Sequence, residues 1–159
     1  MKKLYLLRHS YAVNDTTASD FLRPLDKTGV SLCSRIANFI YQKDIAFDQI
    51  FCSPALRTKQ TIELIEQHLN KQLNIQLLHE LYQAEYMELY DIIRSIDDNF
   101  TNVMIVGHNP SITQIYNYLT EITQLSFAPG NLAALSFSQD SWQNLRSNTG
   151  TLKVFFKDE

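Results

Sequence analysis

The sequence predicts an α/β fold, a three-layer α/β/α sandwich with a mostly parallel, mixed central sheet. Two observations predict it. Compact apolar runs of strand length alternate with longer stretches whose apolar residues recur at helical spacing, the pattern of a parallel sheet covered on both faces. The last two strand-like runs follow each other without a full helix between them, which makes the sheet mixed.

Lys3–Leu7 is the first strand-like run. Val30, Cys33, Ile36, Ala37, Ile40 and Tyr41 then mark a helix face, with Asp26 as its N-cap. Asp48–Cys52 reads as a second strand, followed by a helix with Ala55, Thr58, Ile62, Ile65 and Leu69 on one side. Ile75–Leu78 is a third strand, and Tyr86, Leu89, Tyr90, Ile93 and Ile96 define the next helix. Asn102–Gly107 is the most apolar strand, and Ile112, Ile115, Leu119 and Ile122 line the helix after it. Leu132–Phe137 and Leu152–Phe156 are the late strands. The polar segments Asn14–Asp20 and Asn144–Gly150 read as surface loops.

A chain of 159 residues has the size of one domain with a real core. No repeat, linker or low-complexity segment divides it, so residues 1–159 read as one domain. Hydrophobic residues at 45% against 19% charged place it far from disorder. The formal net charge is -3 and no Lys/Arg run exists, which argues against nucleic acid or a membrane as partner. Net charge does not exclude a local basic pocket. The apolar run Leu4–Leu7 is too short for a signal segment, no stretch approaches membrane-spanning length, and a cytoplasmic location is expected. Cys33 and Cys52 lack zinc-ligand spacing and sit in apolar runs, as buried free thiols do.

Three of the apolar strands end alike. Leu4–Leu7 runs into Arg8-His9, Ile50–Cys52 into Ser53-Pro54-Ala55-Leu56-Arg57, and Val103–Gly107 into His108-Asn109-Pro110. Ligands of open parallel sheets bind outside the carboxyl ends of the strands, so two Arg and two His there can converge on one pocket. Ser53-Pro54 and Asn109-Pro110 both read as an N-cap followed by a first helical residue. Helix N-termini carry free N–H groups and partial positive charge, which suits an anion. Arg57 falls in a first helical turn, where a cation is disfavoured by roughly 0.3–1 kcal/mol unless an anion offsets it. Taken alone, Arg57 is better explained as an exposed Arg that costs little. A lone His is likewise more often structural than catalytic, and His68 and His79 are read so. The four residues together at three strand ends are what point to an oxyanion pocket.

Other enzyme templates are missing. The sequence contains no G-x-x-x-x-G-K-[ST], no G-x-G-x-x-G and no G-x-S-x-G. Asp97-Asp98 reads as a solvated helix end rather than a magnesium site.

At these residues the chain resembles the histidine phosphatase superfamily, marked by R-H-G after the first strand, and within it the SixA-like phosphohistidine phosphatases. The segments that carry the resemblance are Leu4–Ser10 (LYLLRHS), Asp20–Leu25 (DFLRPL), Ser53–Thr61 (SPALRTKQT) and Val106–Pro110 (VGHNP), and it extends over nearly the whole chain. It implies that His9 is the nucleophile and that Arg8, Arg57 and His108 hold the phosphoryl oxygens. It implies that Arg23 is a further phosphate contact and that Glu80 stands where many members carry a general acid. Two departures are visible. Ser10 replaces the usual glycine, and Asp15 stands where larger members carry an asparagine, with Asn14 one place off.

The chemistry fits these residue types. A neutral imidazole is a good nucleophile when one nitrogen is free and the other is fixed. Phosphoryl transfer asks for positioning and positive charge, which two guanidiniums and a second His supply without metal or cofactor. The expected activity is a metal-independent phosphohistidine phosphatase acting on a phosphorylated protein of the histidine-phosphotransfer type. Few residues are left between Leu78 and Asn102 for a lid, and an open pocket suits a protein side chain. The alternatives are a phosphatase of small phosphorylated substrates, of phosphoglycerate mutase-like type, and a pseudoenzyme that binds phosphorylated partners without turnover.

Overall fold

The computed structural model describes residues 1–14, 17 and 19–159. Six strands form one sheet: β1 (Lys2–Arg8), β2 (Gln49–Cys52), β3 (Ile75–Leu77), β4 (Asn102–Gly107), β5 (Leu132–Phe137) and β6 (Thr151–Phe156). Their spatial order is β3-β2-β4-β1-β5-β6. The first four run parallel, whereas β5 is antiparallel to both β1 and β6. The sheet is therefore mixed, as the short connection between the two late strands requires. A link without a full crossover helix can join only antiparallel neighbours.

The strand period of two divides the core. Leu4 and Leu6 of β1 and Val103 and Ile105 of β4 face one cluster, while Tyr5, Leu7, Met104 and Val106 face the other. Helices α1 (Lys27–Gln42) and α2 (Leu56–Leu69) bury Leu32, Ile36, Ile62 and Ile65 in the second cluster. Helices α3 (Tyr86–Arg94) and α4 (Ser111–Leu119) bury Leu89, Ile93, Ile112 and Ile115 in the first. Two helices on each face give the three layers. Each central strand is apolar on both sides because both sides are covered.

Asp26 caps α1 by accepting from the Gly29 amide at 2.7 Å. Several expectations at element ends are corrected. Val30 and Tyr41 sit on the solvent side of α1, and Leu32 takes the buried place. Helix α4 stops at Leu119, with Thr120 extended, so Ile122 lies beyond it and is exposed. Helix α2 begins at Leu56, not at Pro54. Ser53 precedes a proline, which disfavours helical backbone there, and its hydroxyl is engaged elsewhere. Helix α4 begins at Ser111, but Asn109 still accepts from the Thr113 amide at 3.3 Å and its hydroxyl at 2.8 Å. The cap chemistry is present, displaced by one residue. Cys33 and Cys52 are free and fully buried, and burial pushes both thiols above their ordinary range. Among the described residues no helix is long and apolar enough to cross a membrane.

Candidate active site

Strands β2, β4 and β1 are neighbours, and their carboxyl ends coincide. Arg8 pairs with Gly107, and Cys52 with Val106. The next residue on each chain is therefore His9, His108 or Ser53, side by side at one sheet edge. The His9 amide donates to the Gly107 carbonyl at 3.1 Å, and the Ser53 amide to the Val106 carbonyl at 3.1 Å. The rings of His9 and His108 lie 5.2 Å apart between centroids.

The loop after His9 is fastened from three sides. The Ser10 amide donates to Thr61 Oγ1 at 3.0 Å, and Thr61 donates to the Arg57 carbonyl at 2.7 Å. Gly130, at φ +81°, donates to the carbonyls of both Arg8 and His9. Gly29 at the start of α1 lies so near the chain that a Cβ there would overlap the Tyr11 carbonyl oxygen. Ser10 is fully buried and donates to the Gly29 carbonyl at 2.8 Å, which is how a side chain is accommodated there. Gln60 completes the pattern by accepting from the Leu25 amide at 2.8 Å, which docks the Arg23-Pro24-Leu25 segment on α2.

His9 Nδ1 lies 2.7 Å from the Ser10 carbonyl oxygen. A carbonyl only accepts, so Nδ1 carries the proton and Nε2 keeps its lone pair. Burial, then the nearby Arg57, Arg8 and Arg23 charges, lower the His9 pKa to about 4, although the Ser10 bond raises it. His108 is lowered to about 3, first by burial, then by His9 and Arg57. Both rings are neutral at pH 7.

A cleft of about 880 Å³ opens over these rings and is lined by Arg8, His9, Arg23, Arg57 and His108 among others. The structure thus brings five of the six residues singled out in the sequence to one cavity. Arg8 Nε, Arg57 Nε and His108 Nδ1 are buried there without a hydrogen-bond partner among the described residues. Orphaned buried polar atoms are rare and ask for a reason. Two are guanidinium donors suited to an oxyanion, and His108 Nδ1 joins them when it carries the proton of the neutral ring.

Glu80 is the sixth residue, and the structure places it elsewhere. It is exposed, in a short turn of 3-10 helix at His79–Leu81, and lines a neighbouring cavity with His79 and Glu88. Among the described residues the carboxylates that do line the cleft are Asp20 and Glu85. Asp20 is held well below the usual carboxylate range by the Tyr82 hydroxyl and by Arg23 and Arg57, and stays ionised. Sequence reasoning read Ser53 as a helix cap, gave Asp20 no role beyond its place in the Asp20–Leu25 segment, and passed over Tyr82. Asp15 lies outside the described residues, and Asn14 lines the cleft. His68 and His79 are exposed and away from it. Among the described residues no group of three or more His, Cys, Asp and Glu could hold a metal ion.

The model of the histidine phosphatase superfamily (branch 1) matches residues 4–97. The chain belongs to that superfamily. The phosphohistidine phosphatase SixA of Escherichia coli K12 is 26% identical over 112 residues, covering 69% of each chain. The structure of the protein histidine phosphatase SixA complexed with tungstate superposes with a TM-score of 0.81 at 22% identity, covering 96% of this chain and 95% of that one. A protein of Escherichia coli K-12 assigned as an alpha-ribazole-5'-P phosphatase superposes with a TM-score of 0.76 at 16% identity, covering 99% and 98%. The chain is thus similar in sequence and fold to SixA, and shares its fold with a protein described as a small-molecule phosphatase.

Proposed function

We propose that this protein is a metal-independent phosphohistidine phosphatase that carries the phosphoryl group on His9 Nε2. The observation that carries the reading is the neutral, oriented His9 beside three buried and unpartnered donors, Arg8 Nε, Arg57 Nε and His108 Nδ1. In this reading the nucleophile has its lone pair free, and the unpartnered donors serve the equatorial oxygens. Arg23 adds positive charge at the rim.

In the first step His9 Nε2 bonds to phosphorus while the substrate P–N bond breaks. A phosphoimidazole takes a proton from solvent on its distal nitrogen and leaves as neutral imidazole. Water then attacks the phospho-His9 phosphorus, gives its proton to solvent, and inorganic phosphate departs as Nε2 recovers its lone pair. No step asks the protein for an acid. That agrees with a cleft in which Asp20 is locked in its ionised form and Glu80 is absent. An alkyl ester would expel an alkoxide, a poor leaving group without a proton donor.

A second reading, a phosphatase of small phosphorylated substrates, draws on Glu85. This carboxylate lines the cleft, although it also serves as the N-cap of α3. The test is phosphate release, in the presence of a chelator, from a phosphorylated histidine-containing carrier and from a panel of alkyl phosphate metabolites. Preference for the carrier supports the first reading. Preference for a metabolite, lost in Glu85→Gln, supports the second. Loss of activity on chelation, restored by a divalent ion, contradicts the metal-free mechanism.

A further inference from the structure

A carboxylate in a pocket for a phosphoryl dianion is electrostatically out of place, because like charge opposes the ligand. Asp20 is such a carboxylate. Its Oδ1 accepts from Arg23 Nε at 3.0 Å and from an Arg23 terminal nitrogen at 2.9 Å. Its Oδ2 accepts from an Arg57 terminal nitrogen at 3.1 Å and from the Tyr82 hydroxyl at 2.7 Å. Its main-chain carbonyl accepts from the other Arg57 terminal nitrogen at 2.7 Å.

These contacts divide the Arg57 guanidinium into two edges. The end edge, made of the two terminal nitrogens, is held by Asp20. The side edge carries Nε, which is buried and unpartnered. A guanidinium is a planar fork, so fixing one edge fixes the direction of the other. Tyr82 extends the same link. Its ring packs edge-on against Phe21 at 5.0 Å and against His108 at 5.8 Å. Asp20 therefore joins the segment ahead of Arg23-Pro24-Leu25 to Arg57 on α2 and, through Tyr82, to the ring of His108.

We propose that Asp20 is a positioning residue that occupies the end edge of Arg57 and so aims its Nε edge at the phosphoryl group. The inference rests on the anion-pocket reading above. The gain is preorganisation: the long Arg57 side chain is set before the ligand arrives. The cost is one negative charge beside the ligand. The two effects have opposite signs on phosphate affinity, and that makes the idea testable without turnover.

The experiment is calorimetric titration of the full chain with inorganic phosphate, for wild type, Asp20→Asn and Tyr82→Phe. The amide keeps the size of the carboxylate but turns donors toward guanidinium donors. We expect Asp20→Asn to weaken phosphate binding about tenfold, although it removes a repelling charge. Tyr82→Phe keeps the ring and deletes one donor to Asp20, so it should weaken binding a few-fold, in the same direction. The Arg57 Nε–H resonance should shift downfield on phosphate addition in wild type and much less in Asp20→Asn. Equal or tighter binding by Asp20→Asn overturns the role given to Asp20. If that variant does not fold, Tyr82→Phe decides, and unchanged or tighter binding overturns it. A wild-type protein that binds no phosphate overturns the anion-pocket reading and this inference with it.

Discussion

Ser53 Oγ lies 2.7 Å from His108 Nε2, and both residues are buried. The contact decides which nitrogen of His108 can serve a ligand. If the hydroxyl donates to Nε2, the proton of the neutral ring sits on Nδ1, the unpartnered atom. In the proposed mechanism a neutral His108 then donates to a phosphoryl oxygen without bearing charge.

Ser53→Ala frees the ring to change tautomer and removes that control. It should lower kcat/KM for an aryl phosphate by roughly tenfold with little loss of fold. Nitrogen-15 spectra of His108 provide the direct check. They should show protonated Nδ1 in wild type and a mixture in the variant. Protonated Nε2 in wild type contradicts the assignment.

The two buried imidazoles make stability depend on pH. Their folded pKa values, about 4 for His9 and about 3 for His108, lie below the ordinary value of a free histidine. Between those values and about 6.5 the unfolded chain takes up protons that the folded chain refuses. The stability is full above about pH 6.5 and is lost as pH falls toward the folded values. The urea midpoint should therefore be lower at about pH 5 than at about pH 7, and His9→Gln with His108→Gln should flatten the difference. An equal midpoint at both pH values in wild type would show that the rings are not held neutral.

Glu80→Gln should leave both phosphohistidine and aryl phosphate hydrolysis within about twofold of wild type. The carboxyl is exposed and faces a different cavity. Steady-state rates on both substrates check this. A loss of about a hundredfold on alkyl esters alone would restore the general acid to Glu80.

Gly29→Ala tests the fastening of the loop after His9. The added methyl meets the Tyr11 carbonyl, which is backbone and not a side-chain end that can swing away. The variant should lose about 1–3 kcal/mol of stability by denaturant unfolding. It should also lose activity, since the same loop holds His9. Wild-type stability would show that α1 can retreat freely from the loop.

The parts of the site written at strand ends were legible in the sequence. Arg8, His9, Arg57 and His108 each follow an apolar run, and a parallel sheet brings such ends together by register alone. Asp26 as the cap of α1 was legible because the cap and its amide partner are three residues apart. Asp20–Arg57, Tyr82–Asp20 and Ser53–His108 were not, because each joins residues far apart in the chain and no period in one sequence links them. Glu80 lies outside the cleft for a local reason. The chain turns into a 3-10 helix straight after β3, which carries that carboxyl out of the cleft. Pro54 and Pro110 suggested helix starts two and one residues too early, because Ser53 is committed to His108 and Asn109 reaches its helix from one residue further back.

The central claim is that the phosphoryl group passes through His9. A single-turnover reaction with a phosphohistidine carrier labelled in its phosphoryl group, quenched in alkali and followed by peptide mass spectrometry, tests it most directly. The account predicts transient label on Nε2 of His9 in wild type, and neither label nor phosphate release in His9→Ala. Label on another residue, or full-rate phosphate release by His9→Ala, would contradict it.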